Sequence, residues 1–252
     1  MTPLLLNRIK AARAKKWSPE QMMLRFRLGG IFISQESIYR FVWADKRAGG
    51  FLYKHLLHNE KRYNKRSSGQ AGRGCIPGRV DISERPKIVE SKSRIGDWEG
   101  DTIIGAKQQG PILSVVDRKS NFTLLKSIVY KQSALVLQAI IEKMGSLTYP
   151  VHTITFDNGQ EFAQHKEISK ALKALCFFAQ PYHSWERGLN EHTKRLVRQY
   201  LPKSTNLSAV TDELIEQIQG SLNHRPRKSL GSRIPYEVFF GKEDTEDLPL
   251  CC

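Results

Sequence analysis

The chain has 252 residues, enough for one large domain or for a catalytic domain with a smaller companion. Its 40 Lys and Arg against 25 Asp and Glu give a formal net charge of +15, which points to a polyanionic partner, most simply nucleic acid. No stretch approaches about 18 consecutive apolar residues, and the leucine run after Met1 is too short for a signal-peptide core, so no membrane partner and a cytoplasmic location are expected.

The first 58 residues read as short helices. Leu4, Leu5, Ile9 and Ala12 recur at helical spacing, and Ser18-Pro19-Glu20 supplies an N-cap with proline at the first helical position, opening a helix over Gln21 to Leu28. Gly29-Gly30 stops it. A new start at Ser34 opens Glu36 to Lys46, with Ile38, Phe41 and Val42 on one face and Tyr39, Arg40, Lys46 and Arg47 toward another. Helix, glycine turn, helix predicts a helix-turn-helix-like DNA-binding region over 1–58, with any small helical bundle as the plainer alternative.

From 59 to 94 periodicity disappears while Lys61, Arg62, Lys65, Arg66, Arg73 and Arg79 gather among glycines, serines and a proline, which reads as a basic linker able to follow a phosphate backbone. Residues 1–94 hold 21 Lys and Arg against 7 Asp and Glu, whereas 95–252 hold 19 against 18, so two regions with different tasks are expected.

Residues 95–242 change texture. Trp98 to Ile104, Ile112 to Val116 and Phe122 to Val129 predict three strands of an antiparallel meander. Alternation follows: a helix over Gln132 to Met144, a strand over Val151 to Phe156, a helix over Gln160 to Leu175, a short strand over Cys176 to Ala179, a helix over Trp185 to Tyr200 and a last helix over Asp212 to Leu222. That order predicts an α/β fold, an RNase H-like mixed sheet flanked by helices. The tail, 243–252, is unassigned. Cys75, Cys176, Cys251 and Cys252 form no Cys-x-x-Cys pair, which implies reduced thiols without a metal.

Three acids stand in privileged places. Asp101 lies inside the first strand, on the face shared with Glu99 and Ile103; Asp157 ends the fourth strand before Asn158-Gly159; Glu191 sits early in a late helix, with Lys194, Arg195 and Arg198 three, four and seven residues on. Taken singly, each has an ordinary explanation as a turn residue, a strand acid or an i,i+4 partner. Asp97, Glu99, Asp117 and Glu186 are alternative acids without a comparable partner set. Asn158 and Glu161 are candidates to order the loop after Asp157. Tyr182 and Trp185 could stack on a splayed base and His183 could shuttle a proton, although a core aromatic and a plain surface histidine are the commoner cases.

Gathered with their neighbours, Asp-Trp-Glu-Gly-Asp-Thr, Thr-Phe-Asp-Asn-Gly-Gln-Glu-Phe, Pro-Tyr-His-Ser-Trp-Glu-Arg-Gly-Leu-Asn-Glu and Arg-Gln-Tyr-Leu-Pro-Lys resemble the bacterial insertion-sequence transposases of the "insertion sequence thirty" family, Asp-Asp-Glu recombinases with a retroviral-integrase-like core. The likeness runs from about Trp17 to Phe240. It implies that Asp101, Asp157 and Glu191 are catalytic and hold two Mg²⁺ ions, for which Mn²⁺ can substitute. It also implies cleavage of transposon ends and strand transfer into target DNA, with terminal inverted repeats and target DNA as partners, a homo-oligomer on paired ends and a nucleoid-associated location. Expected DNA contacts are Tyr39, Arg40, Lys46, Arg47, Lys61, Arg62, Lys65, Arg66, Lys194, Arg195 and Arg198. Where the family usually reads Asn-Thr-Asn-Gly after Glu191, this chain has His192-Thr193-Lys194-Arg195. The family's first N-terminal helix-turn-helix is expected to be missing, which leaves a truncated, DNA-binding regulator and an RNase H-type nuclease without strand transfer as alternative readings.

Overall fold

The structure is a computed structural model that describes residues 1–56, 76–106, 109–180 and 188–242. The chain divides into two compact units, Met1–Ser68 with Asn223–Cys252, and Gly69–Leu222. Lys61, Arg62, Lys65, Arg66 and Arg73 of the basic linker, together with Cys75, Tyr182, His183, Trp185, Glu186 and the tail, lie outside the described residues.

The first unit is helical. α1 (Pro3–Ala14), α2 (Pro19–Leu28) and α3 (Gln35–Arg47) each begin at a side-chain cap, from Thr2, Ser18 and Ser34. Ser18 forms a full capping box: its hydroxyl accepts from the Gln21 N–H at 3.2 Å and its own N–H donates to Gln21 Oε1 at 2.8 Å. Gly30 takes φ +76°, the left-handed setting that lets the chain turn between α2 and α3. Ile9, Ala12, Trp17, Met22, Phe26 and Ile38 make the core. α9 (Pro235–Phe240), counted with the catalytic region in the sequence, falls in this unit. There Glu237 receives both arms of the buried Arg25 guanidinium, at 2.7 and 3.1 Å, and the Ile234 N–H at 2.9 Å.

The second unit carries one sheet. β1 (Asp97–Ile103), β2 (Ile112–Asp117), β3 (Thr123–Ser127), β4 (Thr153–Phe156) and β5 (Leu175–Phe178) take the order β3-β2-β1-β4-β5. The first three strands are antiparallel, and β4 and β5 run parallel to β1, which is the order and direction of an RNase H-like sheet. β1 is central and buried along its whole length, so both of its faces must be covered. α5 (Ser133–Gly145), α6 (His165–Leu172), α7 (Gly188–Val197) and α8 (Asp212–Asn223) supply the helices. The apolar side is built on Phe156, which stacks on Phe162 at 4.4 Å and meets Phe178 at 6.0 Å. A Cβ at Gly100 would lie 2.5 Å from that Phe156 ring, so β1 needs glycine there.

Two stretches differ from the sequence expectation. The helix expected over Gln160 to Leu175 is a 3-10 turn, Gln160–Phe162, followed by the shorter α6, which ends where Lys173 turns left-handed at φ 51°. The second half of the expected linker is folded: the Phe178 N–H donates to Val80 O at 2.9 Å, Asp81 bridges to Phe178, and a short helix, α4 (Lys87–Glu90), buries Val89. Along β3, the Leu125 N–H donates to Gln219 Oε1 at 2.7 Å, so a side chain of α8 occupies an edge that would otherwise be open to pairing.

Glu237→Ala leaves Arg25 buried without its anion and is expected to destabilise the helical unit by about 3 kcal/mol, read as an earlier unfolding transition in denaturant. Burial pushes the Cys176 thiol up to about 12. Its peptide should therefore resist iodoacetamide at pH 8 in the folded chain and react after unfolding, a contrast that mass spectrometry resolves.

Candidate active site

Strand alternation puts Asp97, Glu99 and Asp101 on one face of β1. Three carboxylates buried in a row need cations, and each has one. Arg94 forks onto Asp97 at 2.8 and 3.0 Å, and Thr153 Oγ1 donates to Asp97 at 2.8 Å. Arg118 donates to Glu99 at 2.7 Å and to Glu90 at 3.3 Å, while Arg85 reaches Thr155 Oγ1 at 2.8 Å and also holds Glu90. Asp101 differs in its cation. Its Oδ2 lies 2.6 Å from Lys194 Nζ, and its Oδ1 accepts the neighbouring Thr102 N–H at 2.7 Å.

Asp157 follows β4 directly, and its Oδ1 accepts the Gly159 N–H at 3.0 Å, which closes the turn after the strand. The parallel register sets Asp97 opposite Thr153 and Glu99 opposite Thr155; carried two residues further, it sets Asp101 beside Asp157. Regular pairing of the two strands stops before that point, near the carboxyl end of β4, the kind of place where open α/β sheets receive ligands.

α7 packs on β1 and β2. The Asn190 N–H donates to Glu99 Oε2 at 3.2 Å, and Arg198 Nη2 donates to Ile104 O at 2.6 Å, so the helix is fixed to β1 near both ends. Glu191 is exposed in its first turn, one turn before Lys194. Arg195 is exposed as well, whereas Arg198, expected on DNA, directs its guanidinium to the Ile104 and Leu201 carbonyls. The register thus directs Asp101 and Asp157 toward the same end of the sheet, while Glu191 is exposed. Among the described residues no group of three or more His, Cys, Asp or Glu is gathered closely enough to hold a metal ion.

Asn158 and Glu161, the candidates to order the loop after Asp157, hold it through partners distant in the sequence. Asn158 donates to Ala179 O at 2.7 Å and accepts from Arg79, tying the turn after Asp157 to β5 and to the folded part of the linker. Glu161 is buried, accepts from Thr102 Oγ1 at 2.9 Å and pairs with Lys131 at 2.8 Å, so the residue after Asp101 and the loop after Asp157 share one anchor. Asp117 accepts from Gly96, Lys119 and Ser120 at the β2 turn, and burial pushes its carboxyl above the ordinary range despite those bonds. It closes a turn well away from Asp157. In the helical unit, Arg40 pairs with Glu36 at 2.6 Å on the exposed side of α3, Arg47 is exposed, Tyr39 is half-buried, and Lys46 lies over the Trp43 and Tyr53 rings.

Over 240 residues the chain is 48% identical to the transposase for insertion sequence element IS4351 of Bacteroides fragilis, covering 95% of this chain and 74% of that protein. It is 36% identical to the transposase for IS1086 of Cupriavidus metallidurans, covering 89% and 68%, and 33% identical to transposase InsI for IS30A of Escherichia coli, covering 88% and 61%. The chain belongs to the insertion-sequence transposases of the "insertion sequence thirty" family. No protein-family model matches it. The solved catalytic core domain of BIV integrase overlaps 58% of this chain and 94% of its own at 21% identity and a TM-score of 0.46. The fold assignment rests on the strand order and not on that overlap.

For this transposase, Glu161→Ala removes the anchor common to Thr102 and Lys131. We expect a loss of about 1–3 kcal/mol and faster amide exchange across residues 159–163, while unchanged protection there would show that Glu161 does not hold the loop.

Proposed function

We infer that the chain cleaves DNA at transposon ends and joins the freed 3′ ends to target DNA, with Asp101, Asp157 and Glu191 as its catalytic, metal-holding residues. The observation that supports this reading is the parallel register of β1 and β4, which pairs Glu99 with Thr155 and, extended two residues, would bring Asp101 beside Asp157. The donor set suits a hard divalent ion such as Mg²⁺ or Mn²⁺, since all three side chains offer carboxylate oxygens. Two buried polar groups flank the place: the hydroxyl of Ser114, the cross-strand neighbour of Asp101, and the side-chain amide of Asn190, next to Glu191, lack hydrogen-bond partners among the described residues.

When bound, a pair of divalent ions supplies Lewis acidity and charge neutralisation for in-line attack at phosphorus. The protein's part is positioning. β1 and β4 fix the two aspartates, the Asn158 and Glu161 contacts fix the turn behind Asp157, and α7 carries Glu191 on a helix attached to the same strand. Arg195, exposed one turn beyond Glu191, is placed for a backbone phosphate.

The helical unit binds DNA through α3 on this reading, with Tyr39, Arg40, Lys46 and Arg47 contributing. The exposed Arg40 pair with Glu36 is weak enough to be exchanged for a phosphate. Lys61, Arg62, Lys65 and Arg66 add further phosphate contacts. Two copies assembled on paired ends would satisfy the geometry of joining.

With duplex DNA carrying the element's inverted repeat, Mg²⁺-dependent nicking and strand transfer are expected, and EDTA should stop both. Asp157→Asn should lower the rate by at least about a hundredfold while DNA affinity stays within a few-fold of the parent. Full activity in that variant would overturn the assignment.

A further inference from the structure

The three acids on one face of β1 are neutralised in two different ways. Asp97 and Glu99 face guanidinium groups: Arg94 makes a two-pronged contact with Asp97, and Arg118 is buried between Glu99 and Glu90. Arg118 is a fixed part of the interior, and Arg94, though about as exposed as Lys194, is held by two parallel bonds in a planar fork. Asp101 instead faces an ammonium on a flexible four-carbon stem. The Lys194 side chain keeps 34% of its surface exposed, while the Asp101 side chain keeps 8%. One partner of this pair can therefore leave for water, and the other cannot.

The helix that delivers Lys194 is not free to move with it. The Asn190 N–H on Glu99 and the Arg198 guanidinium on Ile104 O hold α7 to β1 on either side of Lys194. Exchange at Asp101 thus needs only rotation about side-chain bonds, which is fast compared with a helix shift. The Lys194 ammonium stands where a cation bound to Asp101 would place its charge.

We propose that Lys194 is a resident counter-ion of Asp101 that a divalent cation must displace, so that this one lysine sets the metal affinity of the free protein. The proposal rests on the metal-site reading of Asp101 and Asp157. Lys194 is then a positioning residue whose effect on chemistry passes through Asp101. Its removal takes one cation away from a buried carboxylate, and a divalent ion then binds without first evicting that competitor.

The test is a Mn²⁺ titration of the full chain without DNA, read from the electron paramagnetic resonance signal of free Mn²⁺. Lys194→Gln should bind Mn²⁺ about fivefold tighter or more than the parent, whereas Lys194→Arg, which keeps a cation on Asp101, should bind no tighter than the parent. Circular dichroism establishes that each variant is folded, and the arginine variant gives an independent reading if the glutamine variant is not. Equal or weaker binding by folded Lys194→Gln, or tighter binding by Lys194→Arg, overturns the proposal. Asp157→Asn separates the two levels: if it abolishes Mn²⁺ binding while the Lys194 variants match the parent, only the counter-ion role falls. If Mn²⁺ binding is indifferent to Asp157→Asn, the metal-site reading falls and takes the counter-ion role with it.

Discussion

A carboxylate removed from water without a cation beside it costs several kcal/mol, and β1 buries three of them on one face. Much of the second unit can be understood as the answer to that constraint. Arg94 comes from the segment just before the strand, Arg118 from the turn after β2, and Arg85 with Glu90 from the short helices that precede β1. The sheet therefore has two unlike faces at its centre. One is apolar, with Gly100 set against Phe156 and the phenylalanines behind it; the other is a ladder of acids and their cations. Arg94 on Asp97 and Lys194 on Asp101 both reach solvent, but Arg94 is held by two prongs and Lys194 by a single ammonium contact.

That constraint also explains what was legible in the sequence. The β-branched runs, the turn signals and the alternation after Gln132 were enough to place every strand within two residues and to indicate the RNase H-like order of elements along the chain, because these signals are local. Asp101 and Asp157 stood out by position for the same reason. Residues 76–94 did not, because their composition of glycine, proline and scattered arginine matches a linker, and only distant partners give Arg79, Arg85 and Val89 their places. Gln160 to Leu175 contains no glycine or proline to mark a break in the expected helix. The break after Phe162 instead serves the turn that Asn158 and Glu161 hold.

α7 shows the same limit within ten residues. A helix bearing Lys194, Arg195 and Arg198 looks, by periodicity, like a single cationic face for DNA. The structure divides those cations among three settings: Lys194 on Asp101, Arg195 in solvent, and Arg198 on backbone carbonyls at the end of β1, where burial lowers its pKa. Spacing identifies which residues share a face, but a carboxylate from another element decides what that face touches. The departure at His192 to Arg195 is therefore a change in the cation environment of the acid site, beyond any change in surface charge.

The division of charge between the units follows a related logic. The helical unit, residues 1–68 with 223–252, has 20 Lys and Arg against 9 Asp and Glu, leaving +11; residues 69–222 have 20 against 16, leaving +4. A strongly basic surface attracts DNA over a distance of about a Debye length, yet the same field repels the divalent cations that a carboxylate site needs. Placing most of the excess charge in the unit without the acid ladder eases that conflict. Within the second unit, Arg94, Arg118 and Lys194 are held on the acids of β1, which leaves exposed residues such as Arg195 to carry its surface charge.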